Sequence, residues 1–154
     1  MNEDTRLIGL EHEVGNTAVV TGASAGIGLV TAKALAARGW NVLGTGRNPE
    51  RSAAALKEIR NSASSGATIE MHMADLSEMS DVVRVASDIS TSTDRVDVLI
   101  NNAGGTSSSL RMTKEGNEAI FAVNHLAPAL LTNRLISRLR AASAAGRPAR
   151  VINV

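Results

Sequence analysis

The stretch TAVVTGASAGIG at residues 17–28 decides how the rest of the chain is read. Thr17 to Thr21 is a short apolar run rich in β-branched residues, the pattern of a buried strand. Gly22 closes it, and an Ala-rich segment with Leu35 runs from Gly26 to Arg38, where Gly39 supplies a helix stop. A strand thus passes into a helix through glycines at 22, 26 and 28. Glycines allow a sharp turn and let backbone N–H groups come close to a ligand. The positive N-terminal end of the helix points at the same place, which suits a pyrophosphate. The spacing is Gly-x-x-x-Gly-x-Gly rather than GxGxxG, so the strand–turn–helix setting carries the reading.

Outward from this turn, strand and helix patterns alternate. Trp40 to Thr45 reads as a second strand. Asn48-Pro49-Glu50 has the order of a helix start, with Asn as cap, Pro in the first helical position and an acid in the first turn. That helix keeps Leu56 and Ile59 on one face and ends in the turn-rich NSASSG at 61–66. Ala67 to Met73 suits a third strand. Ser77 is placed to cap the next helix, whose Val82, Val85, Ala86 and Ile89 fall at helical spacing. Val96 to Asn101 is a fourth strand, followed by the loop NAGGTSSS. From Thr113 to Ala142 the pattern is helical, with Ile120, Val123, Ala127 and Leu130 on one stripe and Pro128 marking a kink or a join. Gly146 and Pro148 end it, and Arg150 to Val154 begins a fifth strand. The alternation predicts an α/β fold: a Rossmann-like, doubly wound parallel sheet, truncated after about five strands. Residues 1–15 read as an N-terminal tail and 16–154 as one nucleotide-binding domain, incomplete at its C-terminal catalytic part.

Composition narrows the function classes. The 154 residues carry a net charge of +1, which supplies no broad field for nucleic acid or an anionic membrane. One Phe, one Trp and no Tyr leave little for bases to stack on, so no nucleic-acid partner is expected. The absence of cysteine excludes disulfides and thiolate chemistry and fits a reducing compartment. No signal peptide or membrane span is legible, and the expected location is cytoplasmic. His12, His72 and His125 have no metal-ligand spacing, so no metal site is expected.

In doubly wound sheets ligands bind beyond the carboxyl ends of the strands, where strand order reverses. At the end of the second strand stands Arg47, with no acid nearby to bind a ribose 2′-hydroxyl; an Arg there accommodates a 2′-phosphate, so NADP is expected before NAD. The third strand runs into Asp75-Leu76 and the fourth into Asn101-Asn102-Ala103-Gly104. Asp and Asn at strand ends also serve simply to satisfy local backbone groups.

Taken in order, TGASAGIG at 21–28, Asp75-Leu76, NNAG at 101–104 and Asn124 within VNHLAPALLT resemble the short-chain dehydrogenase/reductase family, over about residues 15–154. The part from Thr113 onward is most similar to its retinol-dehydrogenase-like branch. The resemblance implies that Gly22, Ser24, Gly26, Ile27 and Gly28 hold the pyrophosphate and that Asp75 and Leu76 lie around the adenine. It implies that Asn102, Ala103 and Gly104 pass under the adenosine ribose. Asn124 becomes the helix asparagine that bends its helix and holds a water in the proton relay. The implied activity is hydride transfer between NADP(H) and a small alcohol or carbonyl substrate.

The family's chemistry also needs a Ser after the fifth strand and a Tyr-x-x-x-Lys, whose phenol requires a neighbouring cation to act near neutrality. This sequence has no tyrosine. The chain is therefore expected to bind nucleotide without turning over, and to self-associate through an exposed strand edge. Two alternatives stay open. One is a non-catalytic nucleotide-binding or interaction module, or a remnant. The other is a serine hydrolase, since Gly22-Ala23-Ser24-Ala25-Gly26 also spells Gly-x-Ser-x-Gly and His125 follows.

Overall fold

A computed structural model describes residues 15–144 and 148–154, so the tail up to residue 14 and the expected stop at Gly146 lie outside the described residues. Five parallel strands form one sheet: β1 (Thr17–Val20), β2 (Asn41–Gly46), β3 (Ile69–Met73), β4 (Val98–Asn101) and β5 (Arg150–Asn153). Their order is β3-β2-β1-β4-β5. The chain builds outward from β1 in one direction through β3, then returns to add β4 on the other side. The reversal therefore falls between β1 and β4, whose carboxyl ends carry the glycine turn and the Asn102–Gly104 segment.

Each side of the sheet is covered because successive strand residues point to opposite faces. Val19, Leu43 and Leu99 are in register and join one buried cluster. Ala18, Val20, Val42, Val98 and Ile100 join the other. The second cluster packs under α1 (Gly26–Ala37) and α2 (Pro49–Ser62), through Ala32, Ala36 and Ile59. Alanines on α1 let its backbone lie close to the sheet. Asn48 caps α2 as expected, its side chain accepting from the Arg51 N–H at 2.9 Å. The first cluster is covered by α3 (Met79–Ser92), whose Val82, Val85, Ala86 and Ile89 are all buried, as the spacing predicts.

Two expectations need correction. Ser77 does not cap α3. Its N–H and hydroxyl both donate to Asp75 Oδ1, at 3.0 and 2.8 Å, forming a local turn instead. The open N–H groups of α3 are met from 35 residues away in sequence: Glu115 accepts from Met79 N–H at 2.6 Å and Ser80 N–H at 2.9 Å. Glu78 in turn accepts from Lys114 N–H at 3.3 Å. These bonds fasten to α3 a small hairpin, closed by a bridge between Met112 and Glu118 and by Ala119 N–H donating to the Arg111 carbonyl. Such a distant cap has no local sequence signal.

The long helix is the second correction. Residues 113–118 form that hairpin, not helix. Helix begins at α4 (Ala119–Phe121), where the Glu118 carboxylate takes the N–H groups of Ile120 and Phe121. A π-turn (Ala122–Leu126) follows, then α5 (Ala127–Arg134) and α6 (Ile136–Ala144), with a break at Leu135. Pro128 explains the π-turn: it has no N–H for the carbonyl of Asn124, four residues earlier, so regular α-helical bonding fails there. The extra residue shifts the apolar stripe. Ala119, Ala122, Ala127, Leu131, Leu135, Leu139 and Ala142 are buried, whereas Ile120, Val123 and Leu130 of the expected stripe are only half-buried. Among the described residues no helix is long and apolar enough to cross a membrane.

Leu131→Ala should cost about 2–5 kcal/mol in urea unfolding, whereas Leu130→Ala should cost less than half as much; equal losses would contradict the shifted register. The Glu115 carboxyl is held below the usual glutamate range by hydrogen bonds from Ser80 and Met79. A lowered folded pKa contributes stability above the unfolded pKa, and that contribution is lost as pH falls through the folded value. Glu115→Gln should therefore melt below the parent at neutral pH, with the gap closing as pH falls beneath the glutamate range. A gap independent of pH would show that the carboxylate charge does not matter.

Candidate nucleotide-binding cleft

The turn after β1 is held between two neighbours. On the β4 side, Thr21 Oγ1 accepts from the N–H groups of Asn102 and Ala103, at 3.0 and 2.9 Å, and Asn102 Nδ2 donates to the Thr21 carbonyl at 2.9 Å. On the β2 side, Gly22 N–H donates to Thr45 Oγ1 at 3.3 Å and Ala23 N–H to the Thr45 carbonyl at 2.9 Å. Thr21 and Thr45 were not singled out from the sequence, because a threonine in a strand ordinarily reads as strand propensity.

Gly28 explains why α1 can start here. A Cβ on Gly28 would lie 2.4 Å from the Gly22 carbonyl oxygen and 2.5 Å from Asn102 Nδ2. Only a residue without a side chain lets the first turn of α1 approach both strand ends. Gly22 and Gly26 take φ of +68° and +54°, where L side chains are strained. Ala25 stands at the N-cap of α1 and offers no side-chain acceptor, so the first N–H groups of the helix meet no cap. An uncapped helix start behind a glycine turn has the geometry that suits an anion.

A cleft of about 520 Å³ opens above this turn. It brings together Gly22, Ser24, Gly26, Arg47, Asp75, Leu76, Asn102, Ala103 and Gly104. Gly28 and Ile27 do not line it with side chains: Gly28 is buried beneath the turn and the Ile27 side chain is 67% exposed on the outer surface. Leu76 is buried in the core and presents only an edge. Asp75 Oδ1 is occupied by Ser77, and the Asp75 N–H donates to Asp81 Oδ2 at 2.8 Å, so the segment after β3 is fixed in place. That bond, with help from Arg84, holds the Asp81 carboxyl below its usual range.

Asn124 lies on the π-turn and its side chain is committed. Its Nδ2 donates to the Gly105 carbonyl at 2.9 Å and its Oδ1 accepts from the Gly105 N–H at 3.0 Å. The pair fixes the loop after β4 against the helix. Asn124 also borders a second hollow of about 830 Å³, shared with His125, Pro128 and the end of β5. Ser24 and His125 thus line different hollows, and no hydrogen bond joins Ser24 to a histidine among the described residues. The nucleophile-elbow alternative gains no support from this arrangement.

The cleft is cationic. Arg47, Arg51 and Arg111 line it, and Asp75 is the one carboxylate among the lining residues. Among the described residues the three guanidinium groups make no ion pair. Arg51 and Arg111 have no motif around them and were not legible as site residues.

The chain matches the family model described as short chain dehydrogenase over residues 16–154. It is 40% identical over 144 residues to human retinol dehydrogenase 13, covering 91% of this chain and 41% of that protein. It therefore spans about two-fifths of the length of this curated relative. Among solved structures, the Pseudomonas aeruginosa RhlG/NADP active-site complex aligns with a TM-score of 0.78 at 30% identity, covering 92% of this chain and 54% of that one. The NADH-dependent reductase A1-R′ of alginate metabolism aligns with a TM-score of 0.75 at 29% identity, covering 91% and 58%. With the glycine turn set where the sheet reverses and the match running from Asn16 to Val154, the chain belongs to the short chain dehydrogenase family.

Proposed function

We propose that residues 16–154 are the NADP(H)-binding domain of an oxidoreductase that moves a hydride between the nicotinamide and an alcohol or carbonyl substrate. One observation supports NADP over NAD: the cleft beyond β2 is lined by Arg47 and Arg51, with no acid at that strand end to take a ribose 2′-hydroxyl. Family neighbours of both cofactor preferences exist, so this local charge carries the choice. Asn48 already satisfies the Arg51 N–H, so a 2′-phosphate beside α2 meets guanidinium groups rather than an open helix end.

In this reading the uncapped start of α1 and the glycine turn receive the pyrophosphate, and Asp75-Leu76 bounds the adenine. Asn102, Ala103 and Gly104 support the adenosine ribose. When bound, the nicotinamide supplies the hydride chemistry. Both ends of the Asn124 amide are taken by Gly105, so any part it has in a proton relay falls to its backbone carbonyl, for which Pro128 offers no α-helical N–H. The chain has no tyrosine to serve as the family's general acid/base, and the 154 residues are expected to bind cofactor without turnover.

Titration of the chain with NADPH and NADH, followed by nicotinamide fluorescence and melting temperature, tests the assignment. NADPH should bind more tightly and stabilise by about 2.7 kcal/mol at a hundredfold excess over Kd. Arg47→Asp should weaken NADPH at least about tenfold while leaving NADH little changed. Binding of neither nucleotide to a folded chain would reject the proposal. Self-association through β5 is proposed as well: its four residues are exposed, with Val151 and Ile152 at 40% and 42%. Light scattering should give a mass above 16.0 kDa at rising concentration, and a constant monomer mass would contradict it.

A further inference from the structure

Arg111 stands on the cleft wall formed by the start of the helical segment, beside Ile120 and Val123. Its position is built, not incidental. The Arg111 carbonyl accepts from Ala119 N–H at 2.8 Å, and the hairpin carrying it is fastened to α3 by Glu115 and Glu78. A rigid support of this kind holds the base of a side chain without occupying its head. The two acids that follow Arg111 in sequence are committed to backbone: Glu115 accepts from the N–H groups of Met79 and Ser80, and Glu118 from those of Ile120 and Phe121. Neither forms a direct ion pair with Arg111, whose charge acts on Glu118 only from a distance.

Elsewhere in the cleft the planar partners that a purine ordinarily meets are absent. The chain has one Trp, one Phe and no Tyr. Trp40 is buried under α1 and α2, and Phe121 is turned outward, stacked on His125 with ring centroids 5.1 Å apart. Among the described residues lining the cleft there is no aromatic ring. The flat groups available are guanidinium planes, and those of Arg47 and Arg51 belong to the β2 side. Apolar surface from Leu76, Ile120 and Val123 makes the remaining wall.

Resting on the dinucleotide reading above, we propose that the Arg111 guanidinium lies against the adenine ring and stands in for a stacking aromatic. An arginine plane stacks on a π-face through both dispersion and cation–π attraction, and lysine, a point charge on a flexible stem, does not reproduce the flat contact. Arg111 thereby sets affinity for the adenosine part that NADPH and NADH share, whereas Arg47 discriminates between them.

The test compares the parent chain with Arg111→Lys and Arg111→Gln, using NADPH, NADH and 2′,5′-ADP as probes, with melting temperature measured without nucleotide. Both variants should lose about tenfold in affinity for all three probes, and the loss should persist at high salt. Their nucleotide-free melting temperatures should match the parent. Parent-like affinity in Arg111→Lys would make the contribution one of charge alone and overturn the proposal. So would a lowered melting temperature with no loss of affinity, which would mark Arg111 as structural. If the parent binds none of the three probes, the dinucleotide reading falls and this inference with it; if the parent binds and the variants bind equally well, only this inference falls.

Discussion

The contact on which the site depends is the approach of α1 to the ends of β1 and β4, made possible by the bare Cα of Gly28. The Gly22 carbonyl and the Asn102 amide occupy the space a side chain would need. Because Asn102 also bonds the Thr21 carbonyl, and Thr21 holds the N–H groups of Asn102 and Ala103, three elements meet at one point. That point is also where the sheet reverses direction. The helix start, the turn and the end of β4 are therefore positioned by one another. In the proposed reading, the pyrophosphate meets the uncapped N–H groups at the start of α1.

Strands and the first three helices were legible because their signals are local. The continuously buried apolar runs of β1, β2 and β4, the Asn48 cap, and the spacing of Val82, Val85, Ala86 and Ile89 each depend on residues within a few positions of one another. The long helix was misread where a local rule was broken. Pro128 removes one α-helical bond, the π-turn inserts a residue, and Ile120, Val123 and Leu130 fall to the side of the buried stripe. The cap on α3 was misassigned to Ser77 because the true partner, Glu115, lies in another part of the chain.

The cleft shows the same division. Its floor follows from glycines and strand-end asparagines whose spacing carries a mechanism. Its charge does not: Arg51 and Arg111 acquire meaning only once α2 and the braced hairpin bring them to the same opening as Arg47. The resemblance to a family supplied roles for Asp75 and Asn124, and the structure adds what those side chains are already doing. Asp75 ties down Ser77, and Asn124 grips Gly105, so each shapes the cleft by holding backbone.

The account's central claim is that the opening above the β1 turn is where the nucleotide binds. An amide ¹H–¹⁵N spectrum of the isotopically labelled chain, recorded during titration with NADPH, tests it most directly. The account predicts shifts concentrated at residues 22–28, 45–51, 74–77, 102–106 and 111, with the amides of β5 and the far ends of the strands little moved. Shifts confined to the hollow beside β5, or spread evenly over the chain, would contradict it.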